Sequence, residues 1–291
     1  DGRATLRASF EIDWTWGDAA YGNGGNFGSA PSADQVNLQT QNVELELIPA
    51  RGWAINLGLQ RMYDTPHNPY RTFFEQMLNS AYRLNYWGTD GVGISVRRDE
   101  DYFKWKAGFY QLYENRIQDA DDVHLLEFNY RHAIGRKWHL GGSIYYVRDR
   151  GNGQGGPSVL GQGLNSTLTL FNGTYRFPFG NTDYEADIFW LGSYFSFNED
   201  LMLDKFFANG YVNYNLGRTR LNVNDAMESG PDIGGLGANL RFGYRYGKTP
   251  NDAVYVDAIF TTGDSNGTAD GKYSGVMTGN TWGTPASLYV S

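Results

Sequence analysis

Leu6-Arg7-Ala8-Ser9-Phe10-Glu11-Ile12-Asp13-Trp14-Thr15-Trp16 decides the fold class. Every even position is apolar, and every odd one is polar or charged. Successive side chains of a β-strand point to opposite faces, so this segment reads as a two-faced ribbon, whereas a helix would scatter the same residues around its axis. A soluble sandwich strand alternates in the same way. Ten such residues ending in tryptophans, and repeated along a chain, fit a transmembrane barrel better.

The pattern recurs. Val43, Leu45 and Leu47 alternate with Glu44 and Glu46; Trp53, Ile55, Leu57 and Leu59 with Asn56 and Gln60; Val92, Ile94 and Val96 with Ser95 and Arg97. Phe103, Trp105 and Phe109 oppose Lys104 and Lys106; Leu126, Phe128 and Tyr130 oppose Glu127 and Arg131; Trp138, Leu140 and Ile144 oppose His139 and Ser143. A segment of weaker alternation runs from Leu164 to Tyr175, and another strand from Tyr184 to Tyr194, with Glu185 and Asp187 on its polar face. Further alternation covers Phe206 to Tyr214, Arg218 to Asn224, Leu236 to Tyr246 and Val254 to Phe260, with a fragment near Leu288. These segments amount to about thirteen antiparallel strands.

Composition agrees. In 291 residues there are 21 Tyr, 17 Phe, 8 Trp and 38 Gly, and no Cys, so disulfides and thiolate metal sites are excluded. No run approaches the ~18 apolar residues of a spanning helix, a requirement that barrels escape because only alternate residues meet lipid. The net charge of −8 speaks against a nucleic-acid partner. The sequence opens Asp1-Gly2-Arg3 with no apolar leader. The expectation is a removed signal or a longer chain, with further strands after Ser291.

Connections fall into two classes. Short turns are expected at Pro49–Gly52, Arg98–Asp101, Ile134–Lys137, Phe177–Asn181, near Gly217 and at Gly247–Asp252. Long loops are expected at Gly17–Gln35, Asp64–Gly88, Asn115–Asp121, Asp149–Gly163, Phe195–Asp204, Asp225–Gly234 and after Gly263. Short turns at one end and long loops at the other describe a bacterial outer-membrane barrel. Arg71–Leu84 carries Phe74, Met77, Leu78 and Ala81 at helical spacing, as a loop helix or a pore constriction would.

Charges on the lipid side would cost ~2–4 kcal/mol each at mid-bilayer, which assigns the charged phase to the lumen. The expected pore-lining residues are Arg7, Glu11, Asp13, Lys104, Lys106, Glu127, Arg131, Glu185, Asp187, Arg241 and Arg245. They either pair across strands to stiffen the wall or form a ladder for a polar solute.

No catalytic constellation stands out. His139 and Ser143 lie four residues apart on one strand face, about 13 Å, too far for a hydrogen bond. His67, His124, His132 and His139 show no metal spacing. The chain is therefore expected not to be an enzyme and to hold no cofactor. A calcium site at Asp264, Asn266 and Asp270 is the lesser reading of a polar loop.

Asn56-Leu57-Gly58-Leu59-Gln60-Arg61, then Thr89-Asp90-Gly91-Val92, Phe242-Gly243-Tyr244 and Thr261-Thr262-Gly263-Asp264 resemble, in order, motifs of the alginate-export family of outer-membrane barrels. The resemblance implies a barrel of roughly eighteen strands and export of an anionic polysaccharide. The expectation is thus one outer-membrane barrel domain over residues 1–291, short of its C-terminal strands, acting as a passive channel for a polar solute or polysaccharide. Its partners would be lipid and envelope proteins. The competing reading is a plugged barrel that anchors an envelope assembly.

Overall fold

A computed structural model describes residues 3–14, 36–61, 90–114, 122–151, 182–198, 204–249 and 252–275. Every regular element among them is a strand: β1 (Arg3–Trp14), β2 (Val36–Ile48), β3 (Trp53–Arg61), β4 (Asp90–Asp99), β5 (Phe103–Tyr113), β6 (Val123–Ile134), β7 (Trp138–Asp149), β8 (Tyr184–Phe197), β9 (Phe206–Val223), β10 (Ala226–Arg245), β11 (Ala253–Thr261) and β12 (Lys272–Tyr273). They form one sheet in which β1 to β11 pair antiparallel in chain order, while β12 lies parallel to β10. Among the described residues the sheet stays open, with β1 and β11 at its edges. The helix expected at Arg71–Leu84, the strand at Leu164–Tyr175 and the fragment near Leu288 lie outside the described residues.

The register puts every other residue on a common face across the sheet. One face exposes Leu6, Val43, Leu45, Leu57, Val92, Ile94, Phe109, Leu126, Phe128, Leu140, Ile144, Leu191, Val212, Phe242, Val254 and Val256. A soluble sheet would cover such a surface, and hydrocarbon covers it in a membrane. The other face carries buried Glu44, Glu46, Asn56, Lys106, Glu127, Asn129, Asn213, Asn239 and Arg241. An apolar outer wall and a charged inner one are the arrangement of an outer-membrane barrel.

Aromatic rings border the outer wall where the short turns sit. Trp53 meets Trp105 edge-on at 5.6 Å, Trp138 lies 4.8 Å from Phe197, and Phe206 lies 5.1 Å from Tyr244. Arg98 stands 5.0 Å from the Trp53 ring, and Lys205 5.7 Å from that of Tyr244. Amphipathic rings with cations beside them suit the headgroup level.

The chain after β7 departs from the sequence-based outline. β7 pairs directly with β8, so β7 leaves and β8 enters the sheet at the end where the long connections sit. β8 then runs down to Phe197, and β9 starts from Phe206 at the opposite end. Phe195–Asp204 is therefore not a loop at the long-connection end. Gly217 is not a turn either: it lies inside β9, where a Cβ would sit 2.3 Å from the carbonyl oxygen of Asp187. Glycine at this position lets two strands approach closely.

Asp225–Gly234 is strand rather than loop. Asn224 and Asp225, at φ 52° and 63°, form the whole connection between β9 and β10. Two positive-φ residues make a tight type I′ hairpin, whose twist matches that of its strands. Pro231 falls where the register shifts between Ser229 and Asp232, a bulge at which no N–H is required, and its carbonyl accepts from Thr219 Oγ1 at 2.8 Å. The two strands have 18 and 20 residues. A spanning strand needs ~9–11, so the hairpin tip projects beyond the membrane.

Candidate pore lining

The inner face is built by cross-strand neighbours. On β1 and β2, Arg7 pairs in register with Glu44, and its guanidinium reaches Glu44 Oε1 at 3.0 Å and Glu46 Oε1 at 2.5 Å. The other oxygen of Glu46 takes Arg97 Nη2 at 2.7 Å from β4. Arg97 spans β3 because its register partner there is Ala54, too short to obstruct it. One carboxylate thus lies between two guanidiniums and ties β1, β2 and β4 across β3.

Next to it, Gln60 is buried and donates to the carbonyls of Asn56 and Gly93 at 3.1 and 3.0 Å, while Ser95 Oγ donates to Gln60 Oε1 at 2.7 Å. On β5 and β6, Lys106 Nζ lies 2.6 Å from Glu127 Oε1, with side-chain exposures of 7% and 0%. Tyr110 donates its hydroxyl to the same oxygen at 2.7 Å, and Asn129 Nδ2 donates to the Tyr145 hydroxyl at 2.8 Å. Lys104 and Arg131 are register partners on this face.

Across β9 and β10 the charges give way to amides. Asn209, Asn213, Asn215 and Asn239 are buried on the inner phase beside Arg241. The Arg241 guanidinium stacks 4.1 Å from the Tyr255 ring. Arg245 packs 4.3 Å from the Phe207 ring and donates to the carbonyl of Asn198 at 3.0 Å. It ties the turn at the strand end as well as lining the face. The rings lie flat where glycine allows: a Cβ on Gly141 would come 2.1 Å from the ring of Tyr194, its register partner.

Toward the long connections the same face becomes apolar. Tyr110, Val123, Leu125, Tyr145, Val147, Tyr184, Ala186, Ile188 and Trp190 are buried there together with Ile233, and Tyr273 of β12 packs against them.

The structure places Arg7, Lys104, Lys106, Glu127, Arg131, Arg241 and Arg245 on the inner face. The side chains of Glu11 and Asp13 lie outside the described residues. Glu185 and Asp187 are on the outer phase, in register with Arg220 and with Arg148 and Arg218. This departs from their expected place in the lumen. The partners of β8 on β7 and β9 turn Ala186, Ile188 and Trp190 inward, and the two acids sit where the strand has passed the apolar band, at which depth a charge costs little. The buried asparagines and Arg97 join the expected charged residues on this face. Their phase on the strands was the available signal.

The loop at 264–271 uses its acids locally. Asp264 accepts from the backbone N–H of Asn266 at 3.2 Å and of Ser274 at 2.7 Å, and Asp270 from that of Lys272 at 3.0 Å. The Asp270 carboxyl is held below the usual range, chiefly by that backbone bond and then by Asn266.

No family model matches the chain, and no curated protein matches it. Solved structures do. A loop-deletion variant of OmpT, an outer-membrane protein of Vibrio cholerae, is 12% identical with a TM-score of 0.36, over 79% of this chain and 77% of that one. An in-vitro folded OmpT of the same organism, in a trimer form, is 12% identical at a TM-score of 0.35, over 82% and 77%. The expectation that the chain is not an enzyme is withdrawn: dispersed histidines do not decide against activity.

Proposed function

We propose that the chain forms the wall of an outer-membrane channel for a polar solute, closing into a larger barrel with strands beyond those described. The observation that carries this reading is the inner face. From β1 to β11 it presents ion pairs, amides and ring-stacked arginines, against an outer wall of exposed apolar residues. A lumen kept wet needs such a lining, and mixed charges hold a polar solute weakly enough to release it.

An anionic polysaccharide is the narrower form of the proposal. It follows from the resemblance to alginate-export barrels, and Arg241 and Arg245 are the residues it would use. The arginine fork matches a carboxylate bidentately. The acids beside Arg7, Arg97 and Lys106 favour a solute of lower charge along β1 to β6.

The buried apolar patch around Tyr145 and Trp190 supports a second reading, a plugged barrel that serves as an envelope scaffold. Single-channel recording in a planar bilayer separates the two. Stepwise conductance is expected of the channel, with lower anion-over-cation selectivity in Arg241→Gln. A protein that inserts but passes no current overturns the channel and leaves the scaffold.

A further inference from the structure

A second cluster of charges stands on the opposite, outer wall, at the end bearing the long connections. Arg150 reaches Asp187 Oδ2 at 3.0 Å and Glu185 Oε2 at 3.4 Å, and Arg220 also pairs with Glu185. The Tyr146 hydroxyl donates to Asp187 Oδ1 at 2.7 Å. Both acids are thus engaged by residues of their own cluster. Arg148 and Arg218 stand outside these pairs, exposed, as the register partners of Asp187 on either side. Asp232 follows Arg218 in the same row. Two strand spacings separate Arg148 from Arg218, about 10 Å between backbones, so both guanidiniums can reach one ligand.

The row sits at a particular height. One residue pair further into the membrane, Tyr146 stacks on Phe189 at 4.6 Å, and below them begin the exposed Ile144 and Leu191. The arginines therefore lie where hydrocarbon gives way to headgroups.

The geometry points to a binding site for the phosphate of an anionic lipid headgroup, gripped by Arg148 and Arg218 on the outer wall. The planar guanidinium forks match phosphate oxygens, and charge-assisted bonds of this kind are the strong ones. Arg150 and Tyr146 hold Asp187 between the two arginines, which keeps it from folding onto either. The lipid tails then lie along the apolar wall below. This site rests on the membrane orientation of the two faces and is independent of whether the lumen conducts.

The test is lipid retention. Refolded protein is mixed with micelles of phosphatidic acid or phosphatidylcholine and stripped with detergent, and bound lipid is counted by native mass spectrometry. Wild type should retain phosphatidic acid over phosphatidylcholine by about fivefold or more per arginine. Arg148→Gln with Arg218→Gln should bring the two lipids level. Arg136→Gln with Lys248→Gln removes the same charge from the short turns and should change nothing. Circular dichroism establishes that each variant is folded before counting. Equal retention of both lipids by wild type, or undiminished preference in the Arg148 and Arg218 variant, overturns the proposal. Thermal stabilisation by inorganic phosphate equal to that by phosphatidic acid assigns the site to soluble anions and overturns the lipid.

Discussion

Lys106→Met isolates what the inner ion pairs contribute. Lys106 Nζ sits 2.6 Å from Glu127 Oε1, and the pair is nearly closed to solvent. The second carboxylate oxygen, Oε2, is buried without a hydrogen bond. After the substitution Glu127 keeps only the Tyr110 hydroxyl. Removing one partner of a buried pair costs ~3–5 kcal/mol, because the remaining charge is left uncompensated. Neutralising both should cost far less, since the expense lies in the unpaired charge and not in the loss of attraction. Lys106→Met with Glu127→Gln is therefore expected to recover most of the stability. Urea unfolding in lipid vesicles, followed by tryptophan fluorescence, gives both numbers. With a slope of about 3 kcal/mol per molar, the single variant should shift the midpoint by about 1–2 M. A loss below ~1 kcal/mol, the range of solvent-exposed pairs, would refute the reasoning and mean that water reaches this part of the wall.

Three further outcomes follow from the turns and the outer face. Asp225→Val should destabilise the β9–β10 hairpin by about 1–2 kcal/mol, because a β-branched residue resists the positive φ that Asp225 adopts, whereas Asp225→Gly should not; hydrogen exchange at Asn222 and Met227 reports it. The Asp252 carboxyl is held below the usual range by bonds from Thr249, backbone first and then side chain, and from the Lys248 N–H. A depressed folded value makes its contribution present above the unfolded pKa and lost as pH falls through the folded one, so amide protection at Lys248 and Thr249 should fall on acidification and be pH-independent there in Asp252→Asn. Tags placed at Asp225 and at Arg136 occupy opposite ends of the sheet and should label from opposite sides of intact membranes; labelling of both from one side would contradict a spanning sheet.

The period-two alternation was enough to give the all-β class, most strands up to β7 and the outer wall. The reason is physical: a strand offers two faces only, and lipid forbids charge on one of them. Leu6, Leu45, Leu57, Ile94, Phe128 and Ile144 accordingly emerged on the exposed apolar side expected of them. Alternation carries no depth along the strand and no partner across it. Glu185 and Asp187 read as lumen residues because their own strand gave no sign that its first turn of sequence lies beyond the apolar band. Only pairing with Arg148, Arg218 and Arg220 located them. In the same way Gly217 and the Gly230-Pro231 step read as breaks, although pairing with β8 uses the first as a close approach and the bulge absorbs the second. Arg97 reaching Glu46 across Ala54, and Lys106 meeting Glu127, depend on register between strands distant in sequence. Register is fixed by the whole sheet, so the lining and its ion pairs belong to the tertiary structure alone.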